Sequence, residues 1–313
     1  EFNESHRANA LYNIARISRI FGNYKESMDL AMQAMSLAEE NNLSQLKAKV
    51  YNLLGNIASE QTNNSQAIEY YSQAIAIFEE LGEKFDVANI TGNLGTVYFS
   101  LSNYNKALDY FTKAVFALEE LGDKQGIALF NGNIGNVYLH LDNKYKALEY
   151  LEKALKTYEE IDLKRGLAFT KGNIGVVYYN LENYDKALEY FTESLAGHKE
   201  LGHKLGIALV IGDIGNVNKD RGNFSKALDC YLESLSIHEE LGDNSQIAAA
   251  LGNIGNLYAN NQFDDYNAKL AEEYLQKAIS LCESTGANFT LYNLYKYLSH
   301  FYKLEKRWEE SQI

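Results

Sequence analysis

The chain has 313 residues, and its 29 Lys and Arg are outnumbered by 42 Asp and Glu, for a formal net charge of −13. A phosphate-binding surface needs a basic stripe, so this balance argues against a nucleic-acid partner. The apolar segments are short and broken by charge every few residues, which predicts no membrane span, no membrane partner and a soluble, cytoplasmic protein.

Proline is absent, so nothing in the chain needs to break a helix. Glu1-Phe2 reads as a cloning scar. Asn13, Gly22-Asn23-Tyr24 and Ser27 then open a forty-residue register, and Gly55 with Ala67 marks its second unit. The register becomes explicit in the phrases GNLGTVY, GNIGNVY, GNIGVVY, GDIGNVN and GNIGNLY, which begin at Gly92, Gly132, Gly172, Gly212 and Gly252. A second phrase keeps step with it: NYNKALDYF from Asn103, KYKALEYLEKAL from Lys144, NYDKALEYF from Asn183 and NFSKALDCY from Asn223. Apolar positions three and four apart make each phrase a helix, A and then B, so one helical hairpin has been copied along the chain.

Asn143 and its equivalents sit where a tight turn joins A to B, and a short amide there can satisfy free N–H groups of helix B. Helix B is expected to end on a left-handed residue at Gly82, Gly122, Gly202, Gly242 and Gly286, with Asn42 in that role in the first unit. Asp162 fits the role less easily, so the fourth junction is the least clearly marked. Four extra residues in NNQFDDYNAKLAEEY, between Asn260 and Tyr274, interrupt the step, and Ala271 and Ser311 resume it. The count is seven full units and a truncated eighth, forming a single solenoid domain over 3–313.

The last unit holds Tyr292, Leu294, Tyr295, Leu298, Phe301, Tyr302 and Trp308 on a helix A whose partner helix is cut off at Ser311-Gln312-Ile313. Its face is expected to be exposed and to support end-to-end self-association. The same ending predicts a fragment of a longer protein.

Leu94-Gly95, Tyr98, Ala107, Phe111 and Ala114 fall at the spacing of the tetratricopeptide repeat (TPR) signature, as do Ile134-Gly135, Tyr138, Ala147, Leu151 and Ala154. The chain therefore resembles that family. Its period of forty resembles the long-helix variant found in polarity and G-protein-regulator scaffolds and in bacterial signalling arrays. The proline that commonly ends helix B in the family is missing. The resemblance implies an all-α, right-handed superhelical solenoid of stacked antiparallel helix pairs, with helix A on the inner wall. It also implies protein–protein interaction, and a fused cyclase, kinase or phosphatase domain beyond the array.

Helix A is nearly uncharged: residues 86–100, 126–140, 166–180, 206–220 and 246–260 hold only Asp86, Lys171, Asp213, Lys219 and Asp220, although 23% of the chain is charged. Positions spaced i, i+3, i+7 share one helix face. They read Asn93, Thr96, Ser100; Asn133, Asn136, His140; Asn173, Val176, Asn180; Asp213, Asn216, Asp220; Asn253, Asn256, Asn260. Nine of these fifteen are Asn, a poor helix former, so the density needs a reason. In one reading each amide bonds a neighbouring unit and fixes the stacking. In the other the amides, donor and acceptor together, clasp the backbone of an extended peptide. The family resemblance favours the second and matches Asn136 with Asn173, and Asn216 with Asn253, to the family's peptide-holding pair.

The cationic clamp that related repeats use for a C-terminal carboxylate is not visible: the matching positions are Gly92, Gly132, Gly172, Gly212 and Gly252, and elsewhere Asn89, Leu129, Phe169, Leu209 and Ala249. The glycines are expected to allow close backbone approach and to leave a smooth floor for a ligand. In the sixth unit, GDIGNVNKDRGNF replaces the repeat Tyr with Asn218 and gathers Asp213, Lys219, Asp220 and Arg221. That cluster reads either as a solvated patch or as a specificity spot for a charged ligand side chain.

Nothing points to catalysis, a cofactor or a metal. His198 and His238 occupy a slot filled elsewhere by Phe78, Leu118 and Tyr158, so they read as packing residues. Cys230 and Cys282 have no ligand spacing and read as buried thiols. The Gly-x-x-Gly spacings follow no strand and make no phosphate loop. The expected function is a non-catalytic scaffold that binds an extended peptide or protein segment, the sensory or docking part of a larger signalling protein. The alternatives are a receptor that changes shape around a signalling peptide and a self-assembling structural array.

Overall fold

The computed structural model describes residues 2–285, 288–307 and 310. Gly286, Trp308 and Ser311, assigned above to a helix end, a terminal aromatic and the resumed step, lie outside the described residues. Among those described, the chain forms fifteen α-helices and no strand. They divide into two compact units, 1–162 and 163–313. The first contains four hairpins: α1 (Phe2–Ile20) with α2 (Tyr24–Glu40), α3 (Ser44–Glu60) with α4 (Asn64–Leu81), α5 (Lys84–Ser100) with α6 (Tyr104–Leu121), and α7 (Lys124–His140) with α8 (Lys144–Glu160). The second contains α9 (Lys164–Asn180) with α10 (Tyr184–Glu200), α11 (Lys204–Asp220) with α12 (Phe224–Leu241), α13 (Asn244–Tyr258) with α14 (Ala268–Thr285), and then α15 (Asn288–Leu304). Odd helices correspond to helix A and even ones to helix B.

Small residues let the two helices of a hairpin approach closely. A Cβ added to Gly95 would sit 2.7 Å from the Phe111 ring, and one on Gly175 would sit 2.7 Å from Phe191. Within each unit an even helix is then sandwiched, because its buried face also meets the next odd helix: Ala107, Phe111, Ala114 and Leu118 of α6 pack with Phe130, Ile134 and Val137 of α7. Full burial of one such large side chain stabilises by about 1.5–3 kcal/mol. Where Ser replaces the packing Ala, its hydroxyl is satisfied, as Ser194 Oγ donates to Ala168 O and Ser234 Oγ to Ala208 O, both at 2.8 Å.

The turns follow one hydrogen-bond pattern. After α5, Asn103 N donates to Tyr98 O at 2.8 Å and Ser102 N to Phe99 O at 2.8 Å, a closure that places the intervening residue in the left-handed region. At the A-to-B junctions that residue is Gly22, Thr62, Ser102, Asp142, Glu182 or Gly222, so four of the six positions carry a side chain where glycine would be unstrained. At the B-to-A junctions Gly82, Gly122, Gly202 and Gly242 take it as expected, and so does Asn42 at φ 54°. Asp162 takes it too, at φ 50°, although it fits the role less easily than Gly or Asn. The amide caps are present where Asn63, Asn103, Asn143 and Asn183 accept from backbone N–H groups of Gln66, Lys106, Lys146 and Lys186, at 3.2–3.4 Å.

The four-residue insertion loops out without breaking the hairpin. Asn267 N still reaches Tyr258 O at 3.1 Å, the bond that Asn103 makes to Tyr98 elsewhere. Phe263 is buried inside the loop, with its ring 5.9 Å from Tyr258 and 6.0 Å from Phe224. The terminal helix departs from expectation: Leu294, Leu298, Phe301 and Tyr302 of α15 are buried in one cluster with α13 and α14. Its apolar face finds a partner in the preceding hairpin, and among the described residues the exposed large apolar side chains of α15 are Tyr292 and Leu304.

Candidate functional site: an amide-bearing wall of the odd helices

Helix geometry brings the three ladder positions of each odd helix onto one face, but the three rows differ in how their side chains are used. The third row is occupied locally. Ser100 Oγ donates to Val97 O at 2.8 Å, the His140 ring stacks on Tyr104 with centroids 5.5 Å apart, and Asn180 Nδ2 donates to Val176 O at 2.8 Å. Asp220 accepts from Tyr179 Oη at 2.6 Å, and Asn260 accepts from Gln262 N at 2.9 Å. The first row is not: Asn93, Asn133, Asn173, Asp213 and Asn253 are half-buried and form no side-chain hydrogen bond among the described residues.

The second row is divided. Asn136 and Asn256 are also without a side-chain hydrogen bond among the described residues, whereas Asn216 Oδ1 accepts from Tyr231 Oη at 2.8 Å. Asn56 and Tyr71 make the same bond at 2.8 Å in the second hairpin. The signal lies in the opposed helix: Tyr71 and Tyr231 stand where the other hairpins carry Ala31, Phe111, Leu151, Phe191 and Leu275. A phenol reaches the amide and a hydrocarbon does not. Asn216 therefore serves hairpin packing with its carbonyl and keeps its amino group for other use.

One turn before the first row, the same face carries exposed apolar side chains: Leu129 in the first unit, and Phe169 and Leu209 in the second, at 48%, 38% and 38% exposure. Their part in the site was not anticipated, although the spacing of four from Asn133, Asn173 and Asp213 was legible. The expected glycine floor is only partly present. A Cβ on Gly92 would lie 2.0 Å from the Phe130 ring and one on Gly252 2.3 Å from Leu294, so neighbouring side chains fill those positions; Gly132 is nearly open, its nearest neighbour at 4.0 Å.

The charged phrase of the sixth hairpin splits into two places. Lys219, Asp220 and Arg221 border a hollow of about 590 Å³ with Asn256, Gln262 and His300. Their charges are already engaged, Lys219 with Asp220 at 3.4 Å and Arg221 with Asp185 at 3.0 Å. Asp213, seven residues before Asp220, instead lines a cavity of about 150 Å³ between α11, α12 and α13, together with Asn216, His238, Gln246 and Asn253. Asn216 and Asn253, the pair singled out by sequence, thus meet at one site. Burial pushes the Asp213 carboxyl up to about 7.

His198 and His238 are 1% and 2% exposed, and burial lowers both below the usual imidazole value, consistent with packing residues. Burial also raises both cysteine thiols. No group of three His, Cys, Asp or Glu that could hold a metal occurs among the described residues, and no helix among them is long and apolar enough to cross a membrane.

Sequence comparison agrees with this geometry. A tetratricopeptide repeat profile matches residues 46–120 and 126–200, and a second tetratricopeptide repeat profile matches 8–41, together more than half of the chain. No curated protein matches the chain by sequence. Among solved structures it is similar to aspartyl phosphate phosphatase F from Bacillus subtilis, at 15% identity over 100% of this chain and 82% of that one, with a TM-score of 0.72. It is also similar to a Rap protein complexed with competence and sporulation factor, at 15% identity over 98% and 95%, TM-score 0.63. A third is a signal transduction ATPase with numerous domains and a tetratricopeptide repeat sensor, from Pyrococcus horikoshii, at 17% identity over 97% of this chain and 46% of that one, TM-score 0.68. At these identities the likeness is one of fold.

Proposed function

The chain belongs to the tetratricopeptide repeat family, and on that footing we propose that it holds an extended peptide, a segment of a partner protein, against the ladder face of its odd helices. The observation that carries this reading is the set of amides on Asn93, Asn133 and Asn136 in the first unit, and on Asn173, Asn253 and Asn256 in the second. None has a hydrogen-bond partner among the described residues. An extended peptide presents donors and acceptors at regular intervals, and an Asn amide can meet one of each. Leu129, Phe169 and Leu209 add apolar seats for ligand side chains beside these amides.

A signalling role as the sensory part of a longer protein accords with the similarity to the Pyrococcus tetratricopeptide repeat sensor. A narrower reading, a receptor for one signalling peptide, draws support from the Rap protein solved with competence and sporulation factor. A randomised peptide array separates the two: many unrelated sequences bind a docking platform, and one motif binds a receptor.

The test of the wall itself is Asn173→Ala, measured with the best peptide from that array. Affinity should fall by about 1–3 kcal/mol, because ligand groups lose their partner. The melting temperature should stay unchanged or rise slightly, since Ala is the better helix former. Lost stability with unaltered affinity would sink the reading at this position.

A further inference from the structure

At the first ladder position the odd helices carry Asn93, Asn133, Asn173, Asp213 and Asn253, so one carboxylate replaces an amide in an otherwise neutral row. Asp213 has no hydrogen bond or ion pair among the described residues. It faces a cavity of about 150 Å³. His238 lines the same cavity, 2% exposed, with a buried Nδ1 that meets no partner. That nitrogen is too enclosed for a group in the cavity to reach, so the acceptor left open is the Asp213 carboxylate, which can carry full negative charge and which no cation among the described residues answers.

Charge left unpaired in such a place is costly, and the cost is removed by a ligand that brings the opposite charge with its own hydrogen-bond donors. Size narrows the choice further. Pockets for whole small ligands run to about 300–1,000 Å³, so this one accommodates the end of a single side chain. We infer that the cavity beside Asp213 seats the guanidinium or ammonium end of a basic residue of the bound peptide. Asp213 supplies the counter-charge, and the carbonyl groups of Gln246 and Asn253, which line the same cavity, complete the acceptor set. The fifth hairpin serves as an internal control: Asn173 and His198 recur there at the equivalent positions without a carboxylate.

This inference rests on the peptide-binding reading for the source of the basic group, and the experiment keeps the two apart. Backbone amide resonances of the whole chain are followed by NMR as N-acetyl-arginine amide, its neutral isostere N-acetyl-citrulline amide, or glycinamide is added at pH about 8, where the Asp213 carboxyl is ionised. The arginine probe should shift Asn216, Gln246 and Asn253 and bind about tenfold or more tightly than citrulline, and Asp213→Asn should abolish that preference. Equal binding of the arginine and citrulline probes, a preference surviving in Asp213→Asn, or no shift at these residues would overturn it. So would a response to glycinamide alone, which would mark a seat for a chain terminus. On the peptide array, sequences that bind without enrichment of Arg or Lys overturn this inference and leave the wall intact. An array with no binders beside a positive arginine titration does the reverse.

Discussion

Asp213→Asn removes a charge while keeping the shape of the side chain, and its effect on stability should depend on pH in a direction that the structure sets. Burial raises this carboxyl from 3.8 to about 7, so between those values the folded protein holds a proton that the unfolded chain has released. Stability attributable to Asp213 is accordingly highest near pH 4, falls as pH rises towards 7 and is level above it. At about 1.4 kcal/mol per pH unit the full loss is at most about 4 kcal/mol, and partial access of solvent to the cavity brings it nearer to about 2. The titratable neighbours are Tyr179 on α9 and Tyr231 on α12, both raised by burial and protonated throughout this range, and His238 on α12, whose lowered value makes stability rise with pH up to about 6.5. The residues of α13 that line the cavity, Gln246 and Asn253, are neutral. Because His238 is present in both proteins, the quantity to follow is the difference between variant and wild type in urea unfolding at a series of pH values. Asp213→Asn should gain about 2–4 kcal/mol on the wild type between pH about 4 and about 8. A difference that stays constant over that range would refute a desolvated, unpaired carboxylate at this position.

Other outcomes follow from the packing. Gly95→Ala should destabilise by about 1–3 kcal/mol, because its Cβ would meet the Phe111 ring, whereas Gly132→Ala, with open space, should stabilise by about 0.5–1 kcal/mol; equal melting temperatures would contradict this account of the hairpin contact. Thr62→Gly should stabilise by about 1 kcal/mol in chemical unfolding, since a β-branched residue held at φ 58° is strained, and a loss there would show that the side chain contributes more than its conformation costs. Tyr231→Phe should cost about 1 kcal/mol by removing the bond to Asn216, and Phe111→Tyr, with Thr96 opposite, should gain nothing comparable. Concentration-dependent light scattering should detect at most weak association through α15, and Tyr292→Lys with Leu304→Lys should remove it; strong association surviving both changes would place the interface elsewhere.

Local chemistry made the repeat legible. Apolar spacing of three and four marks every helix, and an Asn at the turn, with a left-handed residue before it in the first six hairpins, marks each hairpin, so element order and register can be read from α1 to α15 without knowing what packs where. The insertion between Asn260 and Tyr274 was legible for the same reason, since a break in register is itself a local signal. What the tertiary structure decided depends on residues far apart in sequence. Asn136 and Asn216 occupy the same helical position, yet only Asn216 is engaged, because fifteen residues later Tyr231 offers a hydroxyl and Leu151 does not. Asp162 and Glu182 take a left-handed conformation that their side chains do not favour, because closing the turn requires it. Asp213 and Asp220 stand in one short phrase of sequence, but α12 and α13 enclose the first in a cavity while Tyr179 satisfies the second. Proximity along the chain sets a side chain's face; its partners, and the charge it carries at neutral pH, are set by whatever the fold brings against that face.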